Sequence, residues 1–386
     1  MIRRPEPPLT VLIAPDSFKG SLTSVEVARA LAAGWSRARP ADEILLAPLA
    51  DGGEGTLVAI EAAGGWTWEV ADATDPIGRA ISARWLRSTD GNRAIVEMAA
   101  ASGLSRLAPD ELDPLGATTR GTGELISAAL DGGVRDITLG IGGSATNDGG
   151  AGILRALGAD VADGATAPAS VDLAGLDPRL AETSIRIACD VTNPLLGPRG
   201  AAATYGPQKG ASPADVAELD RRLGRYADAL EAASGRVERE TPGAGAAGGT
   251  GFGLLCLADR FALLDLVPGI EVVMAAADFD GKLGRADVVI TGEGRIDAQT
   301  AFGKTALGVA RRAAAAGVAC IAVGGGVEPE GIEALRPLGA VVVPVVEGPQ
   351  TVAEAMAAGS APLERCGERI AGLVNLGRAS GAASTS

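Results

Sequence analysis

The chain has 386 residues, enough for two or three domains with large cores. Its net charge of −14 disfavours nucleic acid and anionic membrane surfaces as partners, so an anionic ligand needs a local cluster of Lys, Arg or N–H groups. There is no histidine, which excludes a His general base, a Ser–His triad and a His-ligated zinc site, and leaves proton transfer to carboxylates, Lys, Tyr or Cys.

Hydrophobic residues make up 47% of the chain but aromatics only 3%, and 55 residues are glycine. A core of small aliphatics suits helices lying close on a parallel sheet. The four cysteines (Cys189, Cys256, Cys320, Cys366) are far apart, which predicts reduced thiols and a cytoplasmic setting. The first residues, MIRRPEPPLT, carry charges and prolines where a signal peptide has an apolar run, and no later apolar run reaches the ~20 residues of a spanning helix.

Taken in order, residues 9–14 read as a strand ending in Pro15-Asp16-Ser17-Phe18-Lys19-Gly20-Ser21. Thr23 or Ser24 then caps a helix with Glu26 near its start. Residues 44–49 read as a second strand, and Ala50-Asp51-Gly52-Gly53-Glu54-Gly55-Thr56 opens a second helix. This β-α-β-α order implies a parallel sheet with polar residues at the strand ends, where ligands bind in open α/β sheets. From Trp66 the texture changes: strands at 66–71, 80–87 and 93–98 alternate with turns at Asp75-Pro76 and Asp90-Gly91, as in a mixed sheet.

The stretch 137–152, ITLGIGGSATNDGGAG, is the most informative. An apolar run empties into Gly140, Gly142 and Gly143; Ser144, Thr146, Asn147 and Asp148 follow, then Gly149, Gly150 and a helical pattern at Ile153, Leu154 and Leu157. Strand, glycine-rich turn and helix can present N–H groups to an anion, with hydroxyls and Asp148 able to bind a polyol or Mg²⁺. The alternative is a tight connection in which Asn147 or Asp148 caps the helix.

Residues 185–188 form a strand reaching Cys189-Asp190-Val191-Thr192-Asn193-Pro194, and Tyr205-Gly206-Pro207-Gln208-Lys209-Gly210 leads to an amphipathic helix at Pro213–Ser234. Gly243-Ala244-Gly245-Ala246-Ala247-Gly248 matches the dinucleotide fingerprint in letters only, since Arg239-Glu240-Thr241-Pro242 before it is no strand. Close backbone approach to a ligand or helix is the better expectation. Residues 288–291 are a buried strand opening into Gly292-Glu293-Gly294-Arg295-Ile296-Asp297-Ala298-Gln299-Thr300-Ala301-Phe302-Gly303-Lys304-Thr305. Gly303-Lys304-Thr305 imitates a Walker A ending, but Ala298 stands where that loop requires glycine; Lys304 can still reach a phosphate as a point charge. Helix, strand (318–323), helix, strand (340–346) and a last helix at 351–375 follow, with disorder expected over 378–386.

The expected architecture is one parallel-sheet α/β domain built from 1–65 and 285–377, with 66–284 inserted as a second, mixed-sheet α/β domain. Asp16, Asp51, Glu54, Asp148, Asp190, Glu293 and Asp297 each lie in or beside a loop following a strand. Any one could be a solvated cap, but together they suggest converging carboxylates, tolerable around a phosphoryl donor only with Mg²⁺ among them. Lys19, Arg295, Lys304 and Lys209 offer balancing charge.

The loops quoted at 14–21, 50–56, 142–150, 188–194, 206–210 and 292–300 resemble, in order and over nearly the whole chain, those of the type-1 glycerate kinase family. The resemblance implies ATP-dependent phosphorylation of D-glycerate, usually to 2-phosphoglycerate, by one flavodoxin-like and one restriction-enzyme-like domain with the site in the cleft between them. One departure is Phe302, where the family leads one to expect histidine. On this resemblance Asp190, Arg295 and Lys19 are candidate catalytic residues. Asp16, Ser17, Lys19, Asp297 and Gln299 are candidates for binding D-glycerate. Gly142, Gly143, Ser144, Thr146, Asn147, Gly292, Gly294 and Lys304 are candidates for ATP, and Asp51, Glu54, Asp148 and Asp297 for Mg²⁺. D-glycerate and ATP are the expected partners, without nucleic acid or membrane, and a homodimer stays open. So do a kinase of a related small hydroxy acid and an inactive small-molecule-binding homologue.

Overall fold

The structure is a computed structural model that describes residues 7–50, 55–162, 169–302 and 305–383. Its strands in chain order are β1 (Thr10–Ile13), β2 (Glu43–Leu46), β3 (Trp66–Thr74), β4 (Ala80–Ser88), β5 (Arg93–Glu97), β6 (Asp136–Gly140), β7 (Asp160–Ala162), β8 (Ser170–Asp172), β9 (Ser184–Ala188), β10 (Leu263–Val267), β11 (Val288–Ile296), β12 (Ala319–Val327) and β13 (Val341–Pro344). The fold is α/β, and the chain divides into two compact units. One comprises Met1–Asp51, Val58–Gly64 and Val273–Ser386; the other comprises Gly52–Leu57 and Gly65–Val272.

The first unit carries a five-stranded, all-parallel sheet in the order β13-β12-β11-β1-β2. Counted along the chain this is the doubly wound order 2-1-3-4-5, whose direction reverses between β1 and β11, and ligands sit outside the carboxyl ends of strands at such a switch point. Val11, Leu12 and Ile13 are fully buried, as strands covered on both faces require. Thr23 caps the helix Ser24–Ala38 in a capping box with Glu26. That helix lies very close to the C-terminal helix Ala361–Ala383: a Cβ on Gly34 would stand 1.8 Å from the Glu364 carbonyl oxygen, and one on Gly367 2.4 Å from that of Leu31. A glycine-rich, aromatic-poor composition serves this kind of approach. The single last helix expected at 351–375 is in fact two, Val352–Ala357 and Ala361–Ala383, separated at Gly359, whose φ is +61°. The second of them continues to Ala383, past the start of the disorder expected from 378.

The second unit is built on a six-stranded mixed sheet, β10-β9-β6-β5-β4-β3, with β3, β4 and β5 antiparallel and β5, β6, β9 and β10 parallel. The short β7 and β8 pair separately. Ile137, Leu139, Ile185 and Ile187 point alternate side chains into a core that the helices Arg120–Asp131 and Pro213–Ser234 help to close. The latter helix starts at Ser212 with a capping box to Asp215 and buries Leu219, Leu223, Tyr226 and Leu230 at helical spacing. No helix among the described residues is long and apolar enough to cross a membrane. All four cysteines are free, and burial pushes the Cys256 and Cys320 thiols up to about 12.

Candidate functional site

In the first unit the strand register sets Ala14–Ser17 beside the far end of β11: the Ala14 N–H donates to the Ile290 carbonyl at 2.7 Å and the Asp16 N–H to the Gly292 carbonyl at 2.8 Å. Gly294 lies close against this loop: a Cβ there would stand 3.3 Å from Phe18 Cα and 3.5 Å from the Lys19 nitrogen. The Asp16 carboxylate is nearly buried and accepts from the Ser17 N–H at 2.6 Å and the Thr305 hydroxyl at 2.7 Å. Glu293 is buried too and takes the Thr300 hydroxyl at 2.5 Å. Asp297 accepts the Gln299 N–H at 2.8 Å, which holds the turn Ala298–Phe302, while Lys19 and Gln299 are exposed. Arg295 is exposed, pairs with Glu328 and stands 3.5 Å from Asp297. Asp16, Ser17, Gly292, Gly294, Arg295 and Asp297 thus gather at the carboxyl ends of the neighbouring strands β1 and β11. Glu293, expected from the sequence among the converging carboxylates, joins them, as do Thr300, Thr305 and Glu328, to which the sequence assigned no role. Their one advance signal was their place just after a buried strand. Asp51, Glu54 and Lys304 lie outside the described residues.

In the second unit, the pairing of Gly140 with Ala188, and of Ala188 with Val267, lines up the carboxyl ends of β6, β9 and β10. Gly142 and Gly143 form an exposed turn there, with Gly143 at φ +70°. Asp190 follows β9, exposed, and accepts the Gly269 N–H at 2.9 Å.

Beyond the turn the chain departs from the expected anion cradle. The helix Ala151–Ala156 has only six residues, and its first donors are already used. The Asp148 carboxylate accepts from the N–H groups of Gly150 (3.1 Å) and Gly152 (3.0 Å), the Thr119 N–H and hydroxyl (both 2.9 Å) and the Thr118 hydroxyl (3.4 Å). The Ile153 N–H goes to the Thr119 hydroxyl at 3.0 Å. Asp148 thus takes up N–H groups at the start of this helix, as the capping alternative expected. Among the described residues no group of three or more His, Cys, Asp or Glu could hold a metal ion. Four of the donors to Asp148 converge on Oδ2 and one on Oδ1.

Under the loop lies Lys209, only 2% exposed, which donates to the Ser144 hydroxyl at 3.0 Å and the Thr146 carbonyl at 2.6 Å. Burial pushes its ammonium down to about 7 against a smaller opposing pull from Asp148. Asn147 donates to the Pro114 carbonyl at 3.3 Å, yet Asn147 Oδ1 and Thr146 Oγ1 are buried with no hydrogen-bond partner among the described residues. Native cores leave few such atoms, and they concentrate where chemistry or bound water uses them. The fingerprint-like glycines close on this same loop: a Cβ on Gly248 would lie 1.9 Å from the Thr146 carbonyl oxygen, and one on Gly253 2.3 Å from that of Gly149. Close backbone approach is therefore their role, here to a loop rather than to a ligand or helix.

Two α/β units whose parallel strands end in polar, glycine-rich loops are an arrangement suited to binding small phosphorylated ligands. The family model described as the glycerate kinase family matches residues 11–375. A glycerate kinase of Bacillus subtilis (strain 168) is 43% identical, over 90% of this chain and 95% of that protein. A glycerate 2-kinase of Escherichia coli (strain K12) is 46% identical, over 78% of this chain and 81% of its own. A crystal structure described as glycerate kinase 2 from Salmonella typhimurium LT2 superposes with a TM-score of 0.83 at 41% identity, covering 96% of this chain and all of that one. The chain belongs to the glycerate kinase family and is a kinase.

Proposed function

We propose that the enzyme transfers the γ-phosphoryl group of ATP to D-glycerate and forms 2-phosphoglycerate. The observation that carries this reading is 46% identity to a glycerate 2-kinase over most of both chains. Phosphoryl transfer asks mainly for alignment and charge stabilisation. Arg295 and Lys19 hold the glycerate carboxylate or neutralise the moving phosphoryl, with Asp16, Ser17, Asp297 and Gln299 ordering the substrate's polar groups. Arg295 is available for this because its pair with Glu328 is exposed, and such pairs exchange at little cost. Asp190 accepts the hydroxyl proton. The 142–147 turn, Gly292, Gly294 and Lys304 contact ATP, which arrives as its magnesium complex; Mg²⁺ typically keeps water and phosphate ligands and needs one or two carboxylates. Asp51, Glu54 and Asp297 remain as those carboxylates, and Asp148 is spent on the fold.

An ADP-release assay across D-glycerate and related hydroxy acids tests the substrate. The phosphorus resonance of the product tests the position: a phosphate on C2 couples to one proton and gives a doublet, one on C3 to two and gives a triplet. A triplet ends the 2-phosphoglycerate assignment, and no ADP release with D-glycerate ends the whole reading. Arg295→Ala should lower kcat about 10²–10³-fold, the loss expected for a transition-state clamp; near-normal kcat would remove Arg295 from the site.

A further inference from the structure

The Tyr205–Gly210 segment ends in a tight turn that carries Lys209. Its 3-10 turn, Pro207–Lys209, opens at Gly206, where a Cβ would stand 2.5 Å from the Ala202 carbonyl oxygen. The turn closes at Gly210, whose φ is +93° and whose added Cβ would meet Leu112 at 3.0 Å. Both glycines make room for a tight reversal, and the reversal delivers the Lys209 side chain under the 144–147 loop. There the ammonium ties the Ser144 hydroxyl to the Thr146 carbonyl, the same carbonyl against which Gly248 packs. Its direct hydrogen-bond partners are both neutral. A buried cation on neutral acceptors is a poor device for stability alone, because a methionine would fill similar space without the desolvation penalty. What the cation supplies is geometry: it fixes a hydroxyl and a carbonyl of one short loop relative to each other.

We infer that Lys209 is a positioning residue that holds the 144–147 loop in the shape in which Ser144 and the preceding glycine turn receive the phosphates of ATP. The inference rests on the reading of that loop as the nucleotide element. A loop displaced by about 1 Å can lower kcat/KM about 10²-fold. Lys209→Met should therefore raise KM for ATP at least about tenfold while leaving KM for D-glycerate within about twofold and the circular dichroism spectrum unchanged. In Lys209→Ala, propylammonium should restore at least about tenfold of the lost kcat/KM without affecting the parent enzyme. If KM for D-glycerate moves in place of KM for ATP, positioning by Lys209 stands and the nucleotide assignment of the loop falls. Wild-type kinetics in a folded Lys209→Met, or a lowered thermal midpoint with unchanged KM values, overturns the inference. Should Lys209→Met fail to fold, Lys209→Gln removes the ammonium without touching the loop: a threefold or greater rise in KM for ATP supports the inference, and unchanged kinetics overturns it.

Discussion

Lys209 also makes a thermodynamic prediction. Its folded-state pKa is lowered from 10.5 to about 7, so the folded protein releases this proton long before the unfolded chain does. Below about pH 7 both states carry the charge and burial penalises the fold in full. Between there and pH 10.5 the unfolded state binds more protons, and stability from this group rises by about 1.4 kcal/mol per pH unit, on the order of 3–5 kcal/mol in total. Urea unfolding of the parent and Lys209→Met should show the parent gaining on the variant as pH rises through this window. The cysteines, which also titrate there when unfolded, are common to both, and no histidine intrudes. Parallel curves would refute the lowered pKa. Asp148 offers the complementary test. Five donors converge on its carboxylate, so Asp148→Ala should destabilise the fold by about 3 kcal/mol or more, by leaving N–H groups unsatisfied. Unchanged stability with a tenfold greater Mg²⁺ requirement would return it to the metal-ligand role expected from sequence.

At the level of elements, the contact between helices Ser24–Ala38 and Ala361–Ala383 sets two effects against each other. Alanine is the better helix former by about 1 kcal/mol, but a Cβ on Gly34 lies 1.8 Å from a backbone carbonyl oxygen that cannot swing away. The clash wins: Gly34→Ala should destabilise by about 3 kcal/mol, while Gly372→Ala on the same C-terminal helix, with nothing within 4 Å of the new Cβ, should stabilise by up to about 1 kcal/mol. Equal effects in urea titrations would mean the two helices are not packed as described. Neither glycine could be told from the other in the sequence, because the partner of Gly34 is 330 positions away (364 − 34). The same limit governs the site. Buried strands running into polar loops were legible at 9–16 and 288–297, because strand periodicity and turn chemistry are local. The helix start was legible for the same reason, with its cap at Thr23 or Ser24; the structure puts it at Thr23. The use of Asp148 was not, since its decisive partners, Thr118 and Thr119, come from another loop. Nor was the destination of Lys209, which only the tertiary fold brings to Ser144.

For the molecule as a whole, charge sets the encounter with substrate. The chain carries −14, and both proposed substrates, the magnesium complex of ATP and D-glycerate, are anions. At about 10 mM salt the Debye length is about 30 Å, so the whole negative field opposes their approach; at about 150 mM it is about 8 Å, and only the groups around the strand-end loops are felt. Those groups include Lys19, Arg295 and the exposed Gly142–Gly143 N–H turn, which attract anions locally. Raising salt from about 10 to about 150 mM should therefore increase kcat/KM for the magnesium complex of ATP, by roughly twofold or more, at fixed free Mg²⁺. Most enzymes that steer anions by a positive surface show the reverse, a steep fall. A fall here would show that a positive field around the loops outreaches the net charge even at low salt. That would place far more of the binding energy in Lys19, Arg295 and Lys304 than in backbone N–H groups, which salt screens little at contact range.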